Sequence, residues 1–97
     1  MKAARLVSPA TFEFIDLPDP VPSDGQAKIR IEAVSVCGSD IHGTFHADLP
    51  EESYPMAPGL GCHEIAGTVV ESKTGEVKEG QRAIVLPTRG SGGLAEY

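Results

Sequence analysis

Two short stretches hold nearly all of the reactive side chains. Cys37-Gly38-Ser39-Asp40-Ile41-His42, with His46 just beyond, contains one of the 2 cysteines and two of the 3 histidines. Cys62-His63-Glu64 contains the other cysteine, the third histidine and a carboxylate. If the chain makes one helical turn after Cys37, residues three apart lie on one side, so Cys37 neighbours Asp40 and Ser39 neighbours His42. A thiolate beside a carboxylate is electrostatically poor unless a cation sits nearby. A hydroxyl beside an imidazole can pass a proton. Together the pairs suggest a metal with a proton relay.

Cys37 and His63 are separated by 25 residues, so any shared site must be made by the fold. Zinc accepts Cys sulfur and His nitrogen readily, and a catalytic zinc takes three protein ligands plus an open position. Asp40 can hydrogen-bond the far ring nitrogen of His63, a common role for a carboxylate behind a metal ligand. In an extended strand Glu64 points away from the face of His63 and reaches an ion only where the backbone bends. Plainer readings stand beside these. A lone buried cysteine is usually a small hydrophobe, the preferred reading of Cys62. His42 and His46 in a polar loop are by default solvated, as are Asp48, Glu51 and Glu52. A Cys37–Cys62 disulfide is an alternative in an oxidising compartment.

The elements that must position these residues read as β structure. Thr11-Phe12-Glu13-Phe14 alternates polar and apolar, and Pro18, Pro20 and Pro22 then interrupt it. Ser23-Asp24-Gly25 gives a turn. Lys28 to Ala33 alternates with Ile29, Ile31 and Ala33 on one face. At Val34-Ser35-Val36 the apolar positions change parity, which predicts a bulge or a strand passing between two environments. Gly67 to Glu71 and Arg82 to Leu86 predict two further strands, with turns at Lys73-Thr74-Gly75 and Gly80. Arg89 to Gly93 is loop-like, and Leu94 to Tyr97 opens a further alternating run, as expected of a chain cut before its next strand. No stretch sustains a 3.6-residue apolar period.

Ninety-seven residues suffice for one domain with a modest core. Eight prolines and 11 glycines among short strands favour a small barrel over a helical bundle. The net charge of −6, with no run of Lys or Arg, argues against nucleic acid as a partner. Apolar runs such as Ala83 to Leu86 are too short to span a membrane, and no signal peptide is visible. Two cysteines are too few for a disulfide scaffold, so a cytoplasmic setting with free thiols is expected.

The order of these motifs resembles the N-terminal, GroES-like catalytic domain of the zinc-dependent medium-chain alcohol dehydrogenases. Cys37 to His42, His63-Glu64-Ile65-Ala66-Gly67-Thr68-Val69, Gly80-Gln81-Arg82-Ala83 and Gly92 to Tyr97 carry the likeness. Met1 to Ala4 and Lys28 to Val36 also fit the family's first strands. The resemblance implies a mainly β fold, a GroES-like, partly open β-barrel with short helical turns. It implies that Cys37 and His63 are two of three protein ligands of a catalytic zinc, with Glu64 the carboxylate behind the metal. Ser39 and His42 are implied as the proton relay, and Asp40 as the partner behind a ligand. Zinc then polarises an alcohol oxygen and a hydride passes to a nicotinamide. The implied substrates are small alcohols, polyols or carbonyls, and the complete enzyme is expected to be a homo-oligomer.

The chain departs from the family's pattern in four places. Cys62 stands where the residue before the histidine is usually glycine. Lys73 replaces a glycine within a shortened turn, and Gln81 stands where Asp is usual. The lobe that holds a structural zinc in many members would fall between Pro87 and Gly92, and Thr88-Arg89-Gly90-Ser91 has no cysteine, so one catalytic zinc and no structural zinc are expected. No dinucleotide-binding G-x-G-x-x-G follows a strand. Residues 1–97 are therefore read as a truncated catalytic domain whose Rossmann domain and third zinc ligand lie elsewhere. Alone, this domain is expected to be inactive and to bind no NAD(P). Two rivals remain: a free-standing GroES-like barrel acting as a binding or assembly module, and a zinc-independent quinone-reductase-like relative. Cys37 and His63 argue against the second.

Overall fold

The computed structural model describes residues 1–86, 88 and 92–97. The expectation of no structural zinc rests on residues 88–91, of which 89–91 lie outside the described residues. The described chain is mainly β. Strands β1 (Lys2–Ser8) and β2 (Thr11–Asp16) form an antiparallel hairpin. A second antiparallel sheet has the order β3 (Ala27–Ser35), β4 (Glu64–Ser72), β5 (Arg82–Val85). One short helix, α1 (Gly38–Asp40), runs into a π-helical turn at Ile41–Phe45, and a 3-10 turn covers Glu51–Ser53. These open sheets and short helical turns form a partial GroES-like barrel. Among the described residues no helix is long and apolar enough to cross a membrane.

Three of the predicted strands are found with longer bounds, the fourth, predicted over Arg82 to Leu86, ends one residue earlier at Val85, and the predicted turn at Asp24-Gly25 is present, with Gly25 at φ +80°. The parity change in the third strand is a bulge: β3 slips against β4 between Ile31 and Ala33. The slip lies slightly upstream of Val34, where the sequence pattern first shows it. Ile29 and Ile31 are half-buried, whereas Ala33, expected on their face, is exposed beyond the slip. A bulge leaves one residue unpaired and re-aims those that follow.

Leu94 to Tyr97, expected to begin a strand, is not a regular strand but does join the two sheets. Ala4 N–H donates to Leu94 O at 2.7 Å, Glu96 N–H to Lys2 O at 3.0 Å, and Ile31 N–H to Glu96 O at 2.9 Å. The segment thus bonds to β1 on one side and β3 on the other.

The loop between the two reactive stretches is tied to β1 as well. Met56 N–H donates to Leu6 O and Gly59 N–H to Ala4 O, at 2.9 and 2.8 Å. Beneath it, Leu6, Phe45 and Cys62 form a buried cluster against which Tyr54, Met56 and Leu94 pack. The Phe12 ring meets Phe45 edge-on, centroids 5.1 Å apart, a favoured aromatic geometry. Phe14, Ile84 and Leu86 remain exposed.

Within this cluster the Tyr54 hydroxyl is buried without a hydrogen-bond partner among the described residues. An unpaired buried polar group costs about 1–3 kcal/mol. Tyr54→Phe is therefore expected to leave stability unchanged or raise it by about 1 kcal/mol, whereas Leu6→Ala costs about 2–5 kcal/mol. Urea unfolding of the two variants checks this, and a clear loss in Tyr54→Phe would show a partner for the hydroxyl.

Candidate metal centre

Asp40 organises the site. Its side chain is 2% exposed, and a buried carboxylate must be met by donors. Backbone N–H groups supply two of them. Cys37 N–H donates to Oδ2 and Cys62 N–H to Oδ1, each at 2.9 Å. The first bond is the return half of a capping box, in which the third helical residue reaches back to the cap. The second crosses to the other reactive stretch. Oδ1 also lies 3.3 Å from Nδ1 of His63. One carboxylate therefore holds the backbone of both stretches and faces the ring of the histidine between Cys62 and Glu64.

The second stretch is shaped by Cys62, whose φ of +55° is in the left-handed region that disfavours side chains. The residue turns its side chain into the core, where it is 3% exposed against Leu6 and Phe45. Burial pushes the Cys62 thiol up from its ordinary range, and the Asp40 carboxylate adds to the effect. Both cysteines are free thiols in this structure. Gly93 passes close by: a Cβ there would come within 2.6 Å of Cys62 O.

Because the backbone bends at Cys62, His63 precedes the regular strand and β4 begins only at Glu64. The alternation that would send His63 and Glu64 to opposite faces does not apply. A sulfur of Cys37, a ring nitrogen of His63 and a carboxylate oxygen of Glu64 all lie within 4.8 Å of one another. Zinc bonds of 2.0–2.3 Å in a tetrahedron place donors about 3.5 Å apart. The widest separation here exceeds that by about 1.3 Å at most, within reach of side-chain rotation. Sulfur, nitrogen and oxygen donors of this kind fit zinc. Glu64 also accepts a hydrogen bond from the Ser35 hydroxyl, its cross-strand partner.

Ser39 and His42 lie on the helical turn that follows Cys37, and both are exposed. The π-helical turn widens the backbone here, with His46 N–H donating to Ile41 O at 2.9 Å. Among the described residues no hydrogen bond joins Ser39 to His42. His46, Asp48, Glu51 and Glu52 are exposed, as their polar setting suggests. Sequence reasoning missed two features of the site. The positive φ of Cys62 was signalled by the glycine usual at that position. The contact of Ser35 with Glu64 depends on strand register, which the sequence alone does not supply.

Two predictions follow from this geometry. Asn in place of Asp40 offers one acceptor oxygen for two N–H groups, one buried and one partly buried, so Asp40→Asn is expected to cost about 1–3 kcal/mol. Chemical unfolding of the metal-free protein measures this, and unchanged stability would contradict it. At residue 62 the usual order of alanine over glycine is expected to invert. Both substitutions lose the buried sulfur, but only glycine relieves the left-handed backbone, by about 1–2 kcal/mol. Cys62→Gly should unfold at higher denaturant than Cys62→Ala, and the reverse order would refute a left-handed residue here.

The chain is similar in sequence to known proteins. The profile of the alcohol dehydrogenase GroES-like domain matches residues 23–97. An uncharacterized zinc-type alcohol dehydrogenase-like protein of Escherichia coli is 38% identical over 87 residues, which cover 87% of this chain and 25% of that protein. L-galactonate-5-dehydrogenase of the same organism is 39% identical over 70 residues, 70% of this chain and 19% of its own length. A sorbitol dehydrogenase of Halalkalibacterium halodurans is 41% identical over 61 residues, 62% of this chain and 16% of its own. The chain thus spans about a quarter or less of the length of these relatives. No solved structure matches it.

Proposed function

The chain belongs to the alcohol dehydrogenase family through its GroES-like domain, and from that premise we propose that it is the metal-holding catalytic part of a zinc-dependent, NAD(P)-linked alcohol or polyol dehydrogenase. The observation that carries the reading is the convergence of Cys37, His63 and Glu64 within 4.8 Å, in a family whose relatives are described as zinc-type. Residues 1–97 form the GroES-like domain. The chain covers 25% of the length of the zinc-type relative from Escherichia coli, and in this proposal the whole protein also carries a dinucleotide-binding Rossmann domain and a further zinc ligand. A cytoplasmic homo-oligomer with one catalytic zinc per subunit and no structural zinc completes the proposal. The names of the relatives, a galactonate and a sorbitol dehydrogenase among them, favour a polyhydroxylated substrate.

In this reading Cys37 and His63 hold the zinc, and Glu64 stands as a ligand or as the carboxylate behind it. When bound, zinc supplies Lewis-acid polarisation of a substrate oxygen. Asp40 Oδ1, 3.3 Å from Nδ1 of His63, would orient the ring from that side and leave Nε2 for the metal. Ser39 receives the substrate hydroxyl proton and His42 conducts it to solvent, a path their exposure on one helical turn permits.

The test uses the whole protein. Cys37→Ser is expected to abolish stoichiometric zinc and NAD(P)-linked alcohol oxidation together, and retention of both would overturn the assignment. Ser39→Ala and His42→Ala should retain zinc, while kcat falls by about 10²-fold or more. Unchanged kcat in both would remove the relay.

A further inference from the structure

We infer that Ser35 is a positioning residue for Glu64, holding one carboxylate oxygen so that the other is presented to the metal centre. The inference rests on the reading of Cys37, His63 and Glu64 as that centre. Ser35 and Glu64 are the last paired residues of the β3–β4 ladder, so they sit directly opposite each other. Directly opposed side chains have Cβ atoms about 4.5–5.5 Å apart, within reach of a hydroxyl and a carboxylate. The Ser35 hydroxyl donates to Oε2 of Glu64. Oε1 has no hydrogen-bond partner among the described residues.

Three observations make this more than a surface contact. First, Glu64 is exposed and carries a long side chain, so without a tether its carboxylate would sample solvent-facing rotamers. Second, its carboxylate nonetheless lies within 4.8 Å of the donor atoms of Cys37 and His63. Third, the register of the ladder sets the pairing: β3 and β4 slip once between Lys28 and Ile29 and back between Ile31 and Ala33, and the final run, Ala33 to Ser35 against Ala66 to Glu64, sets Ser35 opposite Glu64. A one-residue shift of that run would turn Ser35 to the other side of the sheet. The register thus aims Ser35 at Glu64, two residues before Cys37.

Residues behind metal ligands typically contribute about 10–100-fold to metal affinity. The experiment measures Co2+ affinity of the whole protein by competition with a chromophoric chelator, together with the visible ligand-field spectrum. Ser35→Ala is expected to weaken Co2+ binding by about tenfold or more and to change that spectrum. Ser35→Thr, which keeps the hydroxyl, should restore both towards wild type. In a Glu64→Gln background Ser35→Ala should have little further effect, since coupled residues are not additive. A general structural effect would instead add equally in both backgrounds and leave the spectrum unchanged, and that result would overturn the inference. So would a Ser35→Ala protein with wild-type affinity and spectrum. If wild type itself shows no Co2+ spectrum sensitive to Cys37→Ser, the metal centre falls and the role of Ser35 with it.

Discussion

A single buried charge constrains the arrangement of this molecule. A carboxylate removed from water is costly unless donors surround it. Asp40 finds them in the N–H groups of Cys37 and Cys62, which lie on either side of the long loop. Its position therefore fixes the distance between two stretches whose Cys37 and His63 are separated by 25 residues in the sequence. Everything that would bind a cation follows from that fixed distance. Cys37 enters as the cap of the turn that contains Asp40, and His63 enters as the next residue after Cys62. The same carboxylate then meets the ring of His63 at 3.3 Å, so backbone placement and ring orientation come from one group.

Packing supports this arrangement from beneath. Phe45 closes the π-helical turn that begins just after Asp40, and it is buried against Leu6 and Cys62. The two stretches are thus joined twice, by the carboxylate above and by the apolar cluster below. The cluster also accounts for a side chain at residue 62. A buried thiol contributes apolar contact at the centre of the cluster, which offsets part of the strain of a left-handed backbone. Glycine and cysteine are therefore two solutions of one geometric requirement, one favouring the backbone and the other the core.

Much of this could be read from the sequence, and the exceptions have physical causes. The strands were legible because alternation survives in β3 and in the core-facing residues of β4. The Cys37–Asp40 pairing was legible because it is local, set by the spacing of a helical turn. The relation of Cys37 to His63 was legible only through resemblance, since no local rule spans the loop. Glu64 shows where a local rule fails. Strand alternation places it opposite His63, but the bend at Cys62 delays the strand by one residue. The unpaired Tyr54 hydroxyl was not legible at all, because its burial depends on how the loop docks on β1.

The same geometry gathers like charge. Cys37 as a thiolate, Glu64 and Asp40 would place three anionic groups around one histidine, in a chain whose net charge is already −6. Such groups raise one another's energy unless a cation lies among them. The two N–H donors on Asp40 relieve one of the three, and the Ser35 hydroxyl partly relieves another. The thiolate is left without comparable support, and it is the donor that zinc most favours among these. Because these groups are brought together only by the fold, the energy released if a dication joined them would be drawn partly into holding the fold itself. Under the proposed reading the fold that assembles Cys37, His63 and Glu64 would be completed by the metal, with Asp40 setting the frame in which both events occur.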